Sequence, residues 1–456
     1  MKLPAYPKLK PSGVEWLGDL PGPWVVKRAR FSVAVNPKSR RLTALGPDDE
    51  VSFLPMDNVG EFGSLRLDQT KTLADIGAGY TEFDDGDVVI AKITPCFENG
   101  KGALASGLTN GMAFGTTELH VLRPGRAVDR RFLFYFTISR CFRSVGEGEM
   151  YGAGGQKRVP PEFCKNVALP LPPSEDQCAI ADFLDRETAR LDALIAKKRT
   201  LIERLQEKRT ALISRTVTRG LPPAAARAAG LDPNPKLKPS GIDWLEDIPQ
   251  HWTTRKIKWI GRVGNGSTPN RDNDAYWEDG SYPWLNSSFA NQEIVTSSDE
   301  LVTEVALREC HLPKIPPPAV LVGITGQGRT RGMATTLLFE ATINQHLAFI
   351  KASPELMHTW FLRRTLDAAY DYLRSESDGG GSTKGAITCE QLADLPVPLP
   401  PLPEQEAIAD FLAGATSDID PMMLKAEKAI ERLSEYRTAL ITAAVTGKVD
   451  VRGLES

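Results

Sequence analysis

At 456 residues the chain is too long for one ordinary core and has room for about two to four domains. With 41% hydrophobic and 25% charged residues it has the composition of a folded globular protein, not of a disordered one. The formal net charge of −3, from 55 Lys and Arg against 58 Asp and Glu, excludes a uniformly basic nucleic-acid binder, so any attraction for phosphate has to be local or supplied by a partner.

The chain opens on a frame segment, PKLKPSGVEW at 7–16, followed by an insert over 25–155. In the insert, DVVIAKIT (87–94) and ELHVLRP (118–124) are short β-rich runs, and Arg130–Arg143 carries an amphipathic helical pattern. GAGGQKRVP at 152–160 predicts a Gly-rich turn whose backbone approaches a neighbour closely, with Gln156, Lys157 and Arg158 as donors suited to phosphates or base edges. The Pro-rich approach LPLPPSEDQ then leads into a helix predicted over 174–218. Leu184, Leu191, Leu205 and Leu212 fall at multiples of seven, with Leu194, Ile195, Leu201, Ile202 and Ile213 beside them, a coiled-coil seam. Ser174 ahead of Glu175 and Asp176 is the expected cap, and Gly220 with Pro222 and Pro223 the stop. RGLPPAAARAAGLDPNP over 219–235 reads as a linker.

The sequence then starts again. PKLKPSGIDW at 235–244 places Trp244 228 residues after Trp16, and the same step carries PLPP and AIADFL to 398–401 and 407–412 and RTALI from 209–213 to 437–441. Between the repeated blocks the second insert, 253–383, has diverged from the first. It offers the β-rich runs AVLVGIT (319–325) and HLAFIK (346–351), a helical stretch over Glu355–Leu373 and a second Gly-rich turn, GGGSTKGAI at 379–387. A second helix is predicted over 402–447, with Leu412, Ile419, Leu433 and Leu440 in the seam, Met422, Met423, Ile430 and Ile441 alongside, and a tail over 448–456. Each helix of about 40 residues spans about 60 Å. Neither can bury its stripe alone, and the economical partner is the other copy, lying antiparallel; the alternative is that each helix packs on its own globular domain. The expected fold is therefore α+β: two mixed α/β domains, 1–173 and 236–401, separated by a long antiparallel two-helix coiled coil, with a pseudo-two-fold internal repeat.

Catalytic signals are sparse. There is no GxxxxGK[ST] loop; Asn36-Pro37, Asp232-Pro233 and Asn234-Pro235 lack the following aromatic of an amino-methyltransferase pocket; and the six cysteines have no CxxC pair. Cys96 reads as a structural thiol, and His120, His251, His311, His346 and His358 have no metal-ligand spacing, so no catalytic residue and no metal ligand is assigned. The turns GNGSTP (264–269) and GITGQGRTRG (323–332) open no long helix and suit a loop that contacts a polyanion or merely turns. No run of about 18 apolar residues and no charged-then-apolar start is found, and a cytoplasmic protein without a membrane partner is expected.

The frame PKLKPSGVEWLGDLPGPW, the stretch VVIAKITPCFENGKGA, the turn GGQKRVP and the run LPLPPSEDQCAIADFL with KRTALI resemble the specificity subunit of Type I restriction-modification enzymes. The second half repeats the pattern as PKLKPSGIDWLEDIPQHW, YPWLNSS, GITGQGRTRG, GGSTKG, LPLPPLPEQEAIADFL and YRTALI, so the resemblance covers essentially the whole chain. It implies a non-catalytic, cofactor-free subunit in which each insert is a target recognition domain reading one half of a bipartite sequence in double-stranded DNA, while the coiled coil sets the gap. The implied partners are two modification subunits that bind S-adenosylmethionine and methylate adenine, and restriction subunits that use ATP and Mg. For DNA contact the polar residues near turns and strand ends are Lys92, Thr94, Asn99, Lys101, Thr117, Gln156, Lys157 and Arg158 in the first half. In the second they are Thr268, Asn286, Gln327, Arg329, Arg331, Gln345, Thr383 and Lys384. Two other readings stay open: a coiled-coil adaptor joining two protein partners, and an enzyme whose site is not recognisable.

Overall fold

The computed structural model describes residues 3–77, 79–153, 155–326, 328–378 and 385–454. They form two compact units, one built from residues up to 199 together with those from 427 onward, the other from residues 200–426. The boundary is therefore not the midpoint of the sequence: each predicted long helix contributes to both units.

In the first unit a hairpin, β1 (Leu9–Pro11) with β2 (Asp19–Pro21), precedes β3 (Val25–Arg28) and β4 (Val33–Val35). The insert adds β5 (Glu50–Leu54), β6 (Thr70–Thr72), β7 (Thr81–Asp84), β8 (Val88–Ala91), β9 (Gly102–Leu104), β10 (Met112–Gly115) and β11 (Leu119–Pro124). They form two four-stranded sheets, β6-β5-β10-β7 and β4-β11-β8-β9; only the β5–β10 pairing is parallel. All four residues of β8 are buried because both of its faces are covered: Val88 and Ile90 join the core shared with the helices, and Val89 and Ala91 join a second cluster. That double burial is why the segment reads as a continuous apolar run instead of alternating.

The single helix expected over Arg130–Arg143 is two, α1 (Arg130–Ile138) and α2 (Arg140–Gly148). Ser139, at φ −66° and ψ 149°, breaks them: its hydroxyl donates to the Phe136 carbonyl at 2.6 Å and accepts from the Phe142 N–H at 3.4 Å, closing one helix and starting the next. After α3 (Pro161–Asn166), β12 (Ala168–Leu171) pairs with β3 and leads into α4 (Ser174–Arg219). Ser174 is not the cap it was expected to be. It is the first helical residue, and the Pro173 carbonyl takes the first-turn bond, from the Gln177 N–H at 3.0 Å.

In the second unit the stretch read as a linker carries a short helix, α5 (Pro223–Ala228), and its Leu221 and Ala226 lie in that unit's core. The frame returns as β13 (Leu237–Ile242), β14 (Leu245–Pro249) and β15 (Thr253–Lys256). The insert forms β16 (Gly261–Asn265), β17 (Tyr282–Leu285), β18 (Ile294–Val295), β19 (Leu301–Val302), α6 (Glu304–Glu309), β20 (Ala319–Gly323), β21 (Ala334–Leu337), β22 (Thr342–Ile343) and β23 (Leu347–Ala352). These give a five-stranded sheet, β16-β23-β20-β21-β18, and a three-stranded one, β19-β17-β22. The helical stretch is again split, into α7 (Thr359–Ala368) and α8 (Tyr370–Asp378), and is followed by α9 (Cys389–Asp394), β24 (Pro396–Leu399) paired with β15, and α10 (Leu402–Val445).

Within each unit the two long helices pack antiparallel. In the first, Asp176 lies 3.9 Å from Arg452 and Asp192 3.1 Å from Arg437, so the chains run in opposite directions. In the second, Arg209 Nε donates to Asp420 at 3.0 Å, while α4 ends at Arg219 and the following Gly220 lies near Glu404. Asp192 and Asp420, like Arg209 and Arg437, are equivalent under the 228-residue step, so one ion pair is used twice. Of the expected seam, Leu184, Leu191, Leu205, Leu412, Ile419 and Leu440 are buried, and Leu212 and Leu433 are half-buried. Leu194, Leu201 and Met422 are exposed, because the 3.6-residue turn carries them off the stripe.

A buried glutamine ties each helix to its domain. Gln177 donates to the carbonyls of Ala127 at 3.0 Å and Pro172 at 2.9 Å and accepts from Asp129 N–H at 2.7 Å. Its equivalent Gln405 donates to Leu356 and Pro400, both at 2.9 Å, and accepts from His358 N–H at 2.8 Å.

Candidate nucleic-acid interface

In the first unit the Gly-rich turn is held by three ties. Thr94 Oγ1 donates to the Lys157 carbonyl at 2.9 Å and accepts from its N–H at 2.8 Å. Arg158 grips Glu118 through Nη2 at 2.9 Å and Nε at 3.0 Å, and this guanidinium is the main reason the Glu118 carboxyl sits below its ordinary range. His120 Nε2 donates to the Val159 carbonyl at 2.9 Å, and its Nδ1 accepts from Asn36 Nδ2 at 3.2 Å. Asn36 in turn accepts from Val121 N–H at 2.9 Å, so the imidazole is fixed as the neutral tautomer protonated on Nε2. Burial, the largest cause, pushes the His120 pKa below its usual value.

These ties sort the expected residues. Thr94 and Arg158 are struts, with their polar groups spent on the turn itself. Lys92 is half-buried and joins strand to turn through its backbone, accepting from Val159 N–H at 2.8 Å and donating to the Glu118 carbonyl at 2.9 Å. Lys101 is half-buried, with Nζ 3.5 Å from the Met56 carbonyl. Asn99, Thr117, Gln156 and Lys157 are exposed with no side-chain hydrogen bond among the described residues, and Gln156 and Lys157 stand together on the tethered turn.

In the second unit Thr268 Oγ1 donates to Gln345 Oε1 at 2.7 Å, Gln345 Nε2 lies 3.3 Å from His346 Nε2, and His346 Nδ1 is 2.8 Å from Thr325 Oγ1. Three turns, at 264–269, 344–346 and 323–332, are thus brought together at exposed Thr268 and Gln345. Arg329 is exposed, and its carbonyl accepts from the Tyr370 hydroxyl at 2.8 Å. Arg331, expected to reach a ligand, is 3% exposed and faces inward. Asn286 is committed as well: it caps the turn at Ser288 and donates to Glu300 at 3.0 Å. Gln327, Thr383 and Lys384 lie outside the described residues.

The residues that support these turns carry no mark in the sequence. Glu118, His120 and Asn36 hold the first turn, and in the second unit Arg271 lies 3.9 Å from the Trp277 ring centre and 4.9 Å from that of Trp284 while paired with Glu300 at 2.6 Å. No local spacing marks them, since each acts on a residue 29 or more positions away except for the stacks of Arg271 on Trp277 and Trp284 and the Glu118–His120 neighbourhood. Among the described residues no group of three or more His, Cys, Asp or Glu is placed to hold a metal ion, and no helix is long and apolar enough to cross a membrane.

Residues 81–204 and 249–431, more than half of the chain, match the family model of the Type I restriction modification DNA specificity domain. The chain belongs to this family. The two matched regions contain every tethered turn described above. Over 161 residues the chain is 41% identical to the Type I restriction enzyme EcoAI specificity subunit of Escherichia coli, a match covering 35% of this chain and 27% of that one. It is 34% identical over 203 residues to the EcoEI specificity subunit of the same species, 44% of this chain and 34% of the relative, so about a quarter to a third of each of these two relatives is matched. A putative MjaX specificity subunit of Methanocaldococcus jannaschii is 24% identical over 455 residues, 96% of both chains. In fold, the chain is similar to one from a solved structure concerned with complex assembly and conformational transition of the type I R-M system, with a TM-score of 0.65 at 19% identity over 93% of this chain and 98% of that one.

Proposed function

We propose that this specificity-family chain is the non-catalytic DNA-recognition subunit of a Type I restriction-modification complex. Each insert reads one half of a bipartite target in double-stranded DNA, the first through Asn99, Thr117, Gln156 and Lys157, the second through Thr268, Gln345 and Arg329. The observation that carries this reading is the pairing of a frame repeated at a fixed 228-residue step with two diverged inserts, each belonging to a different unit. The same task done at two addresses needs one frame and two readers. Residues 1–173 and 236–401 serve as the recognition domains, and the helices of 174–218 and 402–447 set the spacer and dock two modification subunits. S-adenosylmethionine is bound by those subunits and ATP with Mg by restriction subunits; the complex acts in the cytoplasm. Replacing residues 25–155 by the insert of a related chain and mapping methylated adenines tests it. The expected outcome is a changed first half-site with the second half and spacer intact; a swap that alters both halves would overturn modular reading.

A further inference from the structure

The expected contacts lie on the turns, yet a cluster of unpaired positive charge in the first unit lies elsewhere. Arg30, Arg40 and Arg126, all exposed, line one shallow cavity of about 420 Å³ with the exposed ring of Phe31. Among the described residues none of the three has a carboxylate within ion-pair distance. Arg123, the fourth arginine of the lining, is neutralised by Asp84 at 2.8 Å and Asp87 at 2.6 Å, and Glu162, which feels the charge of Arg30, is spent on Lys165 at 2.7 Å. Like charges gathered in a concavity repel until an anion arrives.

The internal repeat indicates what kind of anion. Of the cavity's cations Arg30 becomes Lys258 in the second half, with Phe31 becoming Trp259, and its neighbours Lys27 and Arg28, outside the lining, become Arg255 and Lys256, whereas the step takes Arg40 and Arg126 to Thr268 and Pro354. At Lys27, Arg28 and Arg30 the charge is kept while Lys and Arg are exchanged. A fork-shaped contact to a base edge or a carboxylate would not tolerate that exchange, whereas a contact with a phosphate as a point charge does. The two half-sites of a bipartite target differ in sequence and share only the backbone.

Resting on the proposed function, we propose that the Arg30–Arg40–Arg126 cavity is a phosphodiester-backbone site for the target duplex, a sequence-independent grip distinct from the reading turns. In the second unit the grip is weaker, because Asp394 pairs with Lys258 at 2.6 Å and Lys256 at 3.4 Å where the first half has Asn166. The test uses the full chain in complex with its modification subunit, titrated over a range of salt with target duplex and with unrelated duplex. The triple variant Arg30→Gln, Arg40→Gln, Arg126→Gln lowers the slope of log affinity against log salt by about one per arginine. It weakens both duplexes by the same factor and leaves the methylated sequence unchanged, and the triple Arg→Lys variant restores the slope. An unchanged slope in the Gln variant overturns the site while leaving the functional reading intact. Loss of modification-subunit binding with the slope retained would make the cavity a protein-docking surface instead, and a changed methylated sequence would make it a base reader. A wild-type complex that binds neither duplex would overturn the functional reading, and this site with it.

Discussion

Lys157 and Arg158 are neighbours in one Gly-rich turn, but the fold gives them different work. Arg158 is folded back on Glu118, while Lys157 lends its backbone to Thr94 and leaves its side chain in solvent beside Gln156. Gln156→Ala is therefore expected to weaken discrimination at one base pair of the first half-site by about 1–3 kcal/mol, roughly 5- to 150-fold, with the second half-site unaffected. Binding to a panel of single-base variants checks it, and uniform weakening across the panel would reassign Gln156 to the backbone. His120 gives the same turn a pH dependence. Its folded pKa is lowered by burial, so its contribution is fully present above the unfolded value of about 6.5 and is lost as pH falls through the folded value. The thermal midpoint should drop as pH is lowered below about 6.5, and the His120→Gln variant should show a shallower drop over that window. Equal pH profiles for the two proteins would mean that other groups carry the effect.

At the scale of elements, what is repeated is the joint between helix and domain. Gln177 and Gln405 make the same three bonds at the start of α4 and α10, each from a fully buried amide. Gln177→Leu keeps the volume but strands the Asp129 N–H and the carbonyls of Ala127 and Pro172, at an expected cost of about 2–4 kcal/mol. Exposed Glu175, two residues earlier, should tolerate Ala with little change, and chemical denaturation of both variants tests the contrast. The heptad pattern was legible because a helix displays its buried stripe locally. The break at Ser139 was not, because the hydroxyl that makes it also occurs harmlessly inside helices and only the bonds to Phe136 and Phe142 reveal which use applies.

At the scale of the whole molecule, the last stretch of the chain completes the first core: Leu440, Ile441, Ala444, Val445 and Val451 pack with Leu184 and Leu191, and Gly447, at φ +68°, lies against Pro21 and Trp24. A fragment of residues 1–220 lacks that stretch but carries the step equivalents of Leu440, Ile441 and Val445, namely Leu212, Ile213 and Val217, which a second copy can supply. Lys208, a potential source of repulsion, is exposed and off the stripe, while Lys198 is half-buried where the other helix has Ala426. The fragment, expressed with the modification subunit, should form a concentration-dependent homodimer that methylates a palindromic split sequence built from the first half-site. Light scattering and methylation mapping check it; a fragment that stays monomeric at high concentration would show that the two helix ends are not interchangeable.

The sequence by itself determined the repeat, the long helices and the short β-rich runs, because each is written in spacing along the chain: a 228-residue step, a seven-residue stripe, an unbroken apolar run such as Val88–Ala91. Only the tertiary structure decided that residues from 427 onward belong with the first core, that Arg331 is buried and Asn286 committed to a cap, and that Arg30, Arg40 and Arg126 share one cavity. Those outcomes depend on which distant segments meet. A side chain becomes a strut or a free donor according to the partner that folding brings within about 3 Å of it, and nothing in its own neighbourhood along the chain records that partner.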